Sequence, residues 1–399
     1  MNVTLGEIGE ELVPELKNLQ SKFLIAGGAG AAVCAIGLVM NPAQFVRSFL
    51  PAYMWVLSIT LGSLGLAMVH QVSGGAWGVV IRRILGAATR TLPLLTILFI
   101  PIALGLRALY PWADAARVAG DPVLQWKQPY LNVTFFLVRA AIYFIVWNGV
   151  AYLLNKWSVE QDATGDPLIP RKMQVLSAGG LLAYGLTITF AAFDWLMSLE
   201  PHWFSTMYGV LVMGGQALTA IAFSIFVLAW LVRRAPFNAL ITANHFHDLG
   251  NLMMGFTMLW TYFAFSQYLI IWAANIPEET EWYLHRTAHG WQYIALAIVV
   301  FHFAVPFLVL LHRAIKRNPA MVSKVAAVIL VMRFMDLYWL SAPAFGHGGE
   351  PRVHWLDVAL PLSLAAIWLA YFVYQLRGRA LLPLYDPEFT EALKHVRVA

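Results

Sequence analysis

Nine polar side chains sunk in long apolar runs are where this sequence could do chemistry: Arg139, Tyr184, Asp194, His247, Asp248, Asn251, His302, Arg333 and Asp336. An ionisable group in lipid is costly unless it is paired or hydrated, so each is a candidate for moving charge. Spacing sorts them into groups. Asn132, Arg139 and Tyr143 are seven and four residues apart and share one helical face. Ser177, Tyr184, Thr187 and Asp194 form a second stripe on the next run. If the two helices pack antiparallel, Arg139 and Asp194 meet at similar depth. Two readings of that pair stand side by side: a static lock between helices, or a proton exit or contact to a quinol head group.

Arg333 and Asp336 are three residues apart and lie on one face. They read as an internal ion pair, or as a pair that opens and closes with a proton, because an adjacent arginine sets the pKa of a buried carboxylate. The seventh run opens with His245, His247, Asp248 and Asn251, and the spacing extends a stripe through Gly255, Tyr262 and Ser266. That stripe could admit water; its first residues could equally sit in the head-group zone. His302, mid-run, is either a donor to a carbonyl or a relay. Tyr208, Gln216 and Thr219 share a face of the sixth run and read as interhelical hydrogen bonds. An entry, a centre and an exit are the minimum for a proton path, and channels share that layout.

The elements that must position these groups are membrane helices. Of 399 residues, 60% are hydrophobic and 12% charged, against roughly 25% charged in a soluble domain. Such a chain cannot cover itself with polar surface, so lipid is its outer solvent. Ten apolar runs are long enough to span: 22–40, 47–72, 84–106, 130–154, 173–197, 205–232, 247–274, 289–312, 321–342 and 355–377. With the N-terminus in the cytoplasm, eighteen Lys and Arg fall on the cytoplasmic side and six on the other. That bias predicts both termini inside and an even number of spans. The expected organisation is one polytopic membrane domain: a cytoplasmic segment 1–21, a transmembrane region 22–377 and a cytoplasmic tail 378–399. Residues 1–22 lack the basic-then-apolar pattern of a signal peptide, and the longest outer loop, near 107–129, is too short for a folded domain.

The net charge of +5 follows from topology and does not point to nucleic acid. One cysteine, Cys34, cannot hold an iron–sulfur cluster or attach haem c, and reads as a packing residue. A haem b would need histidines at matching depth, and His70 could face His245 or His312, though the match is poor. A transporter would need a midplane cavity, which Arg139, Arg333 and His302 could line.

Three segments carry a family likeness: FDWLMSLEPHWFSTMYG from Phe193 to Gly209, HDLGNLMMGFTMLWTYFAFSQYLIIWAANIPEETEWYLHR from His247 to Arg286, and MRFMDLYWL from Met332 to Leu340. They resemble the ActF-type membrane subunit of alternative complex III, a quinol:cytochrome c oxidoreductase, within the polysulfide-reductase, NrfD-like family. The resemblance implies an all-α integral membrane fold of two four-helix bundles, helices 2–5 and 6–9, flanked by helices 1 and 10. It implies a bacterial inner membrane, a paralogous NrfD-like membrane subunit, a periplasmic iron–sulfur subunit and haem c subunits, with a terminal oxidase as a further partner. Quinol would be the substrate of the complex, with iron–sulfur clusters and haem c in the partners and none in this chain. In that family the subunit is proposed to take part in proton translocation and is also described as quinone-binding. Asp194, Asp248, Arg333 and Asp336 lie in the matching segments. A purely structural scaffold is the competing reading.

Overall fold

The computed structural model describes residues 12–234, 237–346 and 349–377, and among them there is helix but no strand. Helices occupy every apolar run. They are α1 (Val13–Met40), α2 (Pro42–Ser73), α3 (Arg82–Leu104), α4 (Val133–Thr164), α5 (Leu168–Trp195), α6 (Tyr208–Leu231), α7 (Ala243–Ala274), α8 (Trp291–Leu311), α9 (Pro319–Ser341) and α10 (Leu356–Arg377). Eight of these, all but α7 and α9, are long and apolar enough to cross a membrane. The other two are also long, but they carry much of the polar content, including Asp248 on α7 and Lys324, Arg333 and Asp336 on α9. The chain is an all-α, multi-pass membrane protein.

Prolines explain the irregular helices. Within α3, Pro93 and Pro101 each start a new segment, Leu92–Leu98 and Ile100–Leu104, because proline has no N–H to continue the ladder. In α8 the segment Ile298–Ala304 is a π-helix, followed by Pro306. The ring of Pro306 clashes with the carbonyl four residues back, that of His302, and a widened turn absorbs the misfit.

Helices α2 and α6 form the buried centre and pack on each other. Their closest approach is at Gly62, where a Cβ would overlap the backbone oxygen of Gln216. Helix α2 also contacts α3, α5, α9 and α10, while α6 contacts α7 and α9. Helix α1 lies along α10 through small residues: a Cβ on Gly27, Gly30 or Gly37 would come within 2.7–2.9 Å of Ile367, Ser363 or Leu356. Lipid supplies no hydrophobic drive between helices, so close packing of small residues must do this work.

The connections sort into two ends. At one end Arg83 pairs with Asp162, Arg234 with Glu15, and Arg317 bonds Asn244 at 2.6 Å. At the other, Lys127 bonds the Pro201 carbonyl at 2.6 Å, Ser48 bonds Asp357 at 2.5 Å, and Arg286 pairs with Glu200. The first is called the basic end below. The N-terminal segment 1–21 is helical from Val13, where Pro14 and Glu15 suit a first helical turn. The connection 107–129 forms a cap of short helices that buries Tyr110, Trp112 and Leu124. Residues 1–11 and the tail 378–399 lie outside the described residues.

The α2–α6 contact has a measurable consequence. Gly62→Ala should destabilise the detergent-purified chain by about 1–3 kcal/mol, because the backbone opposite cannot yield. Gly149→Ala, with nothing within 4 Å of the added carbon, should change it by less than about 0.5 kcal/mol. Unfolding midpoints of the two variants provide the comparison.

Candidate functional site: buried charge pairs between the helices

The central group joins the middle of α7 and α8 to the outer half of α9. Arg333 has no exposed surface and Asp336 only 3%. Nη1 of Arg333 donates to the Asp336 carboxylate. The guanidinium lies on α6 at Gly215, where a Cβ would overlap it, so a helix position without a side chain makes its room. Among the described residues, Nε and Nη2 of Arg333 have no hydrogen-bond partner, and neither does either ring nitrogen of the fully buried His302. The His302 ring stands edge-on to Trp260, 4.3 Å between centroids, and Trp260 lies beside Asp336. Buried polar atoms are nearly always bonded to protein or water. A buried guanidinium with two nitrogens unpartnered among the described residues is an exception to that rule.

Arg139 and Asp194 meet as the helical spacing predicts. Nε and Nη2 of Arg139 grip the two carboxylate oxygens at 2.8 Å each, and the Tyr143 hydroxyl donates at 2.7 Å. Nη1 donates to the Tyr130 carbonyl at 2.9 Å, and the guanidinium lies 3.8 Å from the centroid of the Tyr130 ring. Asp194 has no exposed surface. This bidentate fork satisfies both partners and ties α4 to α5. Tyr184, lower on α5, is a separate tie: its hydroxyl donates to Gln216 of α6 at 2.8 Å.

At the basic end, Asp248 is half exposed and 3.7 Å from His247, while Asn251 lies 3.4 Å from the His247 ring. Lys316, unremarked in the sequence, bonds Asn251 at 2.6 Å and is itself buried. The stripe expected through Gly255 and Tyr262 is overturned: Gly255 is exposed and Tyr262 is 64% exposed. The buried face of α7 runs instead through Leu249, Met253, Thr257 and Trp260. Nine residues, or roughly 13 Å of helix rise, separate Asn251 from Trp260, so the basic-end cluster does not touch the central group. His245 caps α7 by accepting from the Thr242 N–H at 3.0 Å, and His70 bonds the Gly75 carbonyl at 3.0 Å. Both histidines have local structural work.

Sequence reasoning missed a third buried pair. Arg286, in the short helix Pro277–Thr287, has no exposed surface and pairs with Glu200. Counted only as a loop charge, it had a usable signal: Trp282 is four residues earlier, one turn away, and the guanidinium lies 3.7 Å from that ring's centroid. Asp357 was missed too; it accepts from Ser48, from Tyr338 at 3.2 Å and from the His354 N–H at 2.8 Å. At the same end a cavity of about 350 Å³ opens beside Tyr130, walled by Phe190, Phe193, Trp203 and Phe204 with Lys127 and Ser198 at its edge. Partial burial pushes the Lys127 ammonium below the usual lysine range. Among the described residues, no three His, Cys, Asp or Glu come together to hold a metal ion.

If the Arg139–Asp194 fork is a lock, Asp194→Asn alone leaves a buried guanidinium short of a counter-charge and should cost about 3–5 kcal/mol of stability. The double change Arg139→Met with Asp194→Leu should recover much of that loss. Thermal unfolding of the three proteins measures it, and equal losses for single and double variants would contradict the lock.

No family model matches the chain, and no curated protein matches it.

Proposed function

We propose that the chain is a membrane subunit of a quinol-oxidising respiratory complex of the alternative complex III type, and that it contributes a proton path across the bilayer. The observation that carries this reading is the central group. Arg333, Asp336 and His302 are buried together at a π-helical turn, with four nitrogens unpartnered among the described residues. A static lock would be expected to use its donors, as Arg139 does. An arginine held by one carboxylate oxygen, beside a histidine with both nitrogens open, suits a site whose bonding changes with a proton.

Further support comes from which parts of the chain build the charged groups. Asp194, Glu200 and Tyr208 come from the first resembling segment, Trp260 and Arg286 from the second, and Arg333 and Asp336 from the third. The packing suits two bundles, α2–α5 and α6–α9, joined through α2 and α6 and flanked by the α1–α10 pair. The basic end then faces the cytoplasm of a bacterial inner membrane, ten helices span, and both termini lie inside. Protons enter near Asp248, His247 and Asn251 and must cross the roughly 13 Å of helix rise that separates this cluster from Asp336 and His302. The opposite end meets the periplasmic iron–sulfur and haem c subunits, with the paralogous NrfD-like subunit and a terminal oxidase alongside. Electrons run through those partners from quinol to a cytochrome c or similar carrier.

A second reading, quinone binding by this chain, is favoured by the aromatic cavity beside Tyr130, whose ring lies against Arg139. Its size and flat aromatic walls suit a ring with an apolar tail. The Arg139–Asp194 fork would then sit just behind that ring.

The path predicts that Asp336→Asn lowers quinol-driven proton pumping by the reconstituted complex by on the order of tenfold or more. Asp248, half exposed beside other polar groups, should matter less. Dye-reported pumping against acceptor reduction checks both, and full pumping in an assembled Asp336→Asn complex would falsify the path. The quinone reading predicts that Phe193→Ala or Phe204→Ala weakens quenching of the chain's tryptophan fluorescence by added short-chain quinone.

A further inference from the structure

We infer that Glu200, paired with Arg286, is the group through which the central pair exchanges protons with the opposite face, with Tyr208 between them. This rests on the proton-path reading and replaces Asp194 as the exit group. Three observations carry it.

The first is placement. Arg286 donates to the Leu340 carbonyl at 2.9 Å. Leu340 is one turn beyond Asp336 on α9, roughly 6 Å along the axis, so Arg286 stands on the next turn outward from the central pair. Tyr208, at the first turn of α6 and 1% exposed, lies within electrostatic reach of Arg333, Asp336, Arg286 and Glu200. Its ring packs edge-on to Trp203 and Trp282, 5.8 and 6.5 Å between centroids, and Trp282 is the ring that holds Arg286.

The second is access. Asp194 has no exposed surface, and its two oxygens are taken by Arg139 and Tyr143. Glu200 keeps 20% of its side chain exposed. His285, 3.8 Å away, and Glu281, 3.7 Å from His285, continue the cluster to the surface.

The third is what holds the arginine. Arg286 donates to the carbonyls of Trp282 and Leu340 and lies against the Trp282 ring, which stacks on Trp203 at 4.5 Å. It meets Glu200 through a single nitrogen. Glu200 can gain and lose a proton while backbone and ring hold the guanidinium in place. At Asp194 the carboxylate itself is the clamp.

The transfer balances without electrons. The Tyr208 oxygen accepts a proton passed from Asp336 as its own proton moves to the Glu200 carboxylate. Glu200 then releases that proton to water at the opposite face, and Asp336 is left ionised against Arg333.

The test uses the chain purified from its native membrane with its partners and reconstituted in vesicles. Proton release at the opposite face and acceptor reduction are followed together during quinol oxidation. Glu200→Gln and Tyr208→Phe should each slow release by on the order of tenfold. Glu200→Asp should restore release with a displaced pH profile, which a merely structural pair would not give. Tyr208→Phe leaves the Glu200–Arg286 pair intact, so the question survives a Glu200→Gln protein that does not fold. Wild-type release in both Glu200→Gln and Tyr208→Phe, with release abolished in Asp336→Asn, keeps the path and overturns this exit. Wild-type release in Asp336→Asn as well removes the path and the exit together.

Discussion

The cost of a charge inside a lipid-solvated helix bundle governs this protein. An ionised side chain there must find a counter-charge, fixed dipoles or water. Three arginines meet that demand in three ways. Arg139 is saturated by two carboxylate oxygens, a carbonyl and the ring of Tyr130. Arg286 leans on two backbone carbonyls and the ring of Trp282, with Glu200 as its one acid. Arg333 has Asp336 and little else. The three pairs therefore run from fully to sparsely partnered. A saturated pair resists any change in protonation, because every bond must be given up at once. A sparsely bonded pair has low-lying alternatives.

The backbone around the sparse pair is shaped to allow it. Gly215 gives up a side chain so that a guanidinium can lie against α6. Pro306 disturbs the turn that carries His302, and the resulting π-helix leaves a locally widened ladder beside the imidazole. Both features weaken ordinary helix packing where the charges sit. Strength lies elsewhere: in the α2–α6 contact at Gly62, the α1–α10 ridge of small residues and the Arg139–Asp194 fork. A firm frame around a sparsely bonded centre is what the proposed proton path would require, since proton transfer rearranges bonds and must not rearrange helices.

The cap built from residues 107–129 adds a further constraint. It buries Trp112 and Tyr110 against the end of α5, where the indole of Trp112 donates to Ser198 and the hydroxyl of Tyr110 to the Trp195 carbonyl. That end of the molecule is therefore ordered and aromatic, with a cavity at its edge, whereas the basic end carries its arginines in short polar connections. The two faces offer different chemistry to their surroundings.

Much of this was legible in the amino-acid order. Ten apolar runs mark the helices because lipid demands length and apolarity. Intervals of seven, four and three residues told which polar groups share a face, so the Arg139–Asp194 and Arg333–Asp336 pairings were readable. Which face of α7 looks inward was not: neighbours and lipid are both apolar, so Gly255 and Tyr262 carry no mark of their exposure. Nor could sequence alone find Lys316 beneath Asn251, or Arg286 against Leu340 and Glu200, because those contacts join residues 54 to 86 positions apart. Local spacing determines what shares a helix face; only the packed bundle decides which charges meet, how many bonds each keeps, and which of them reach water.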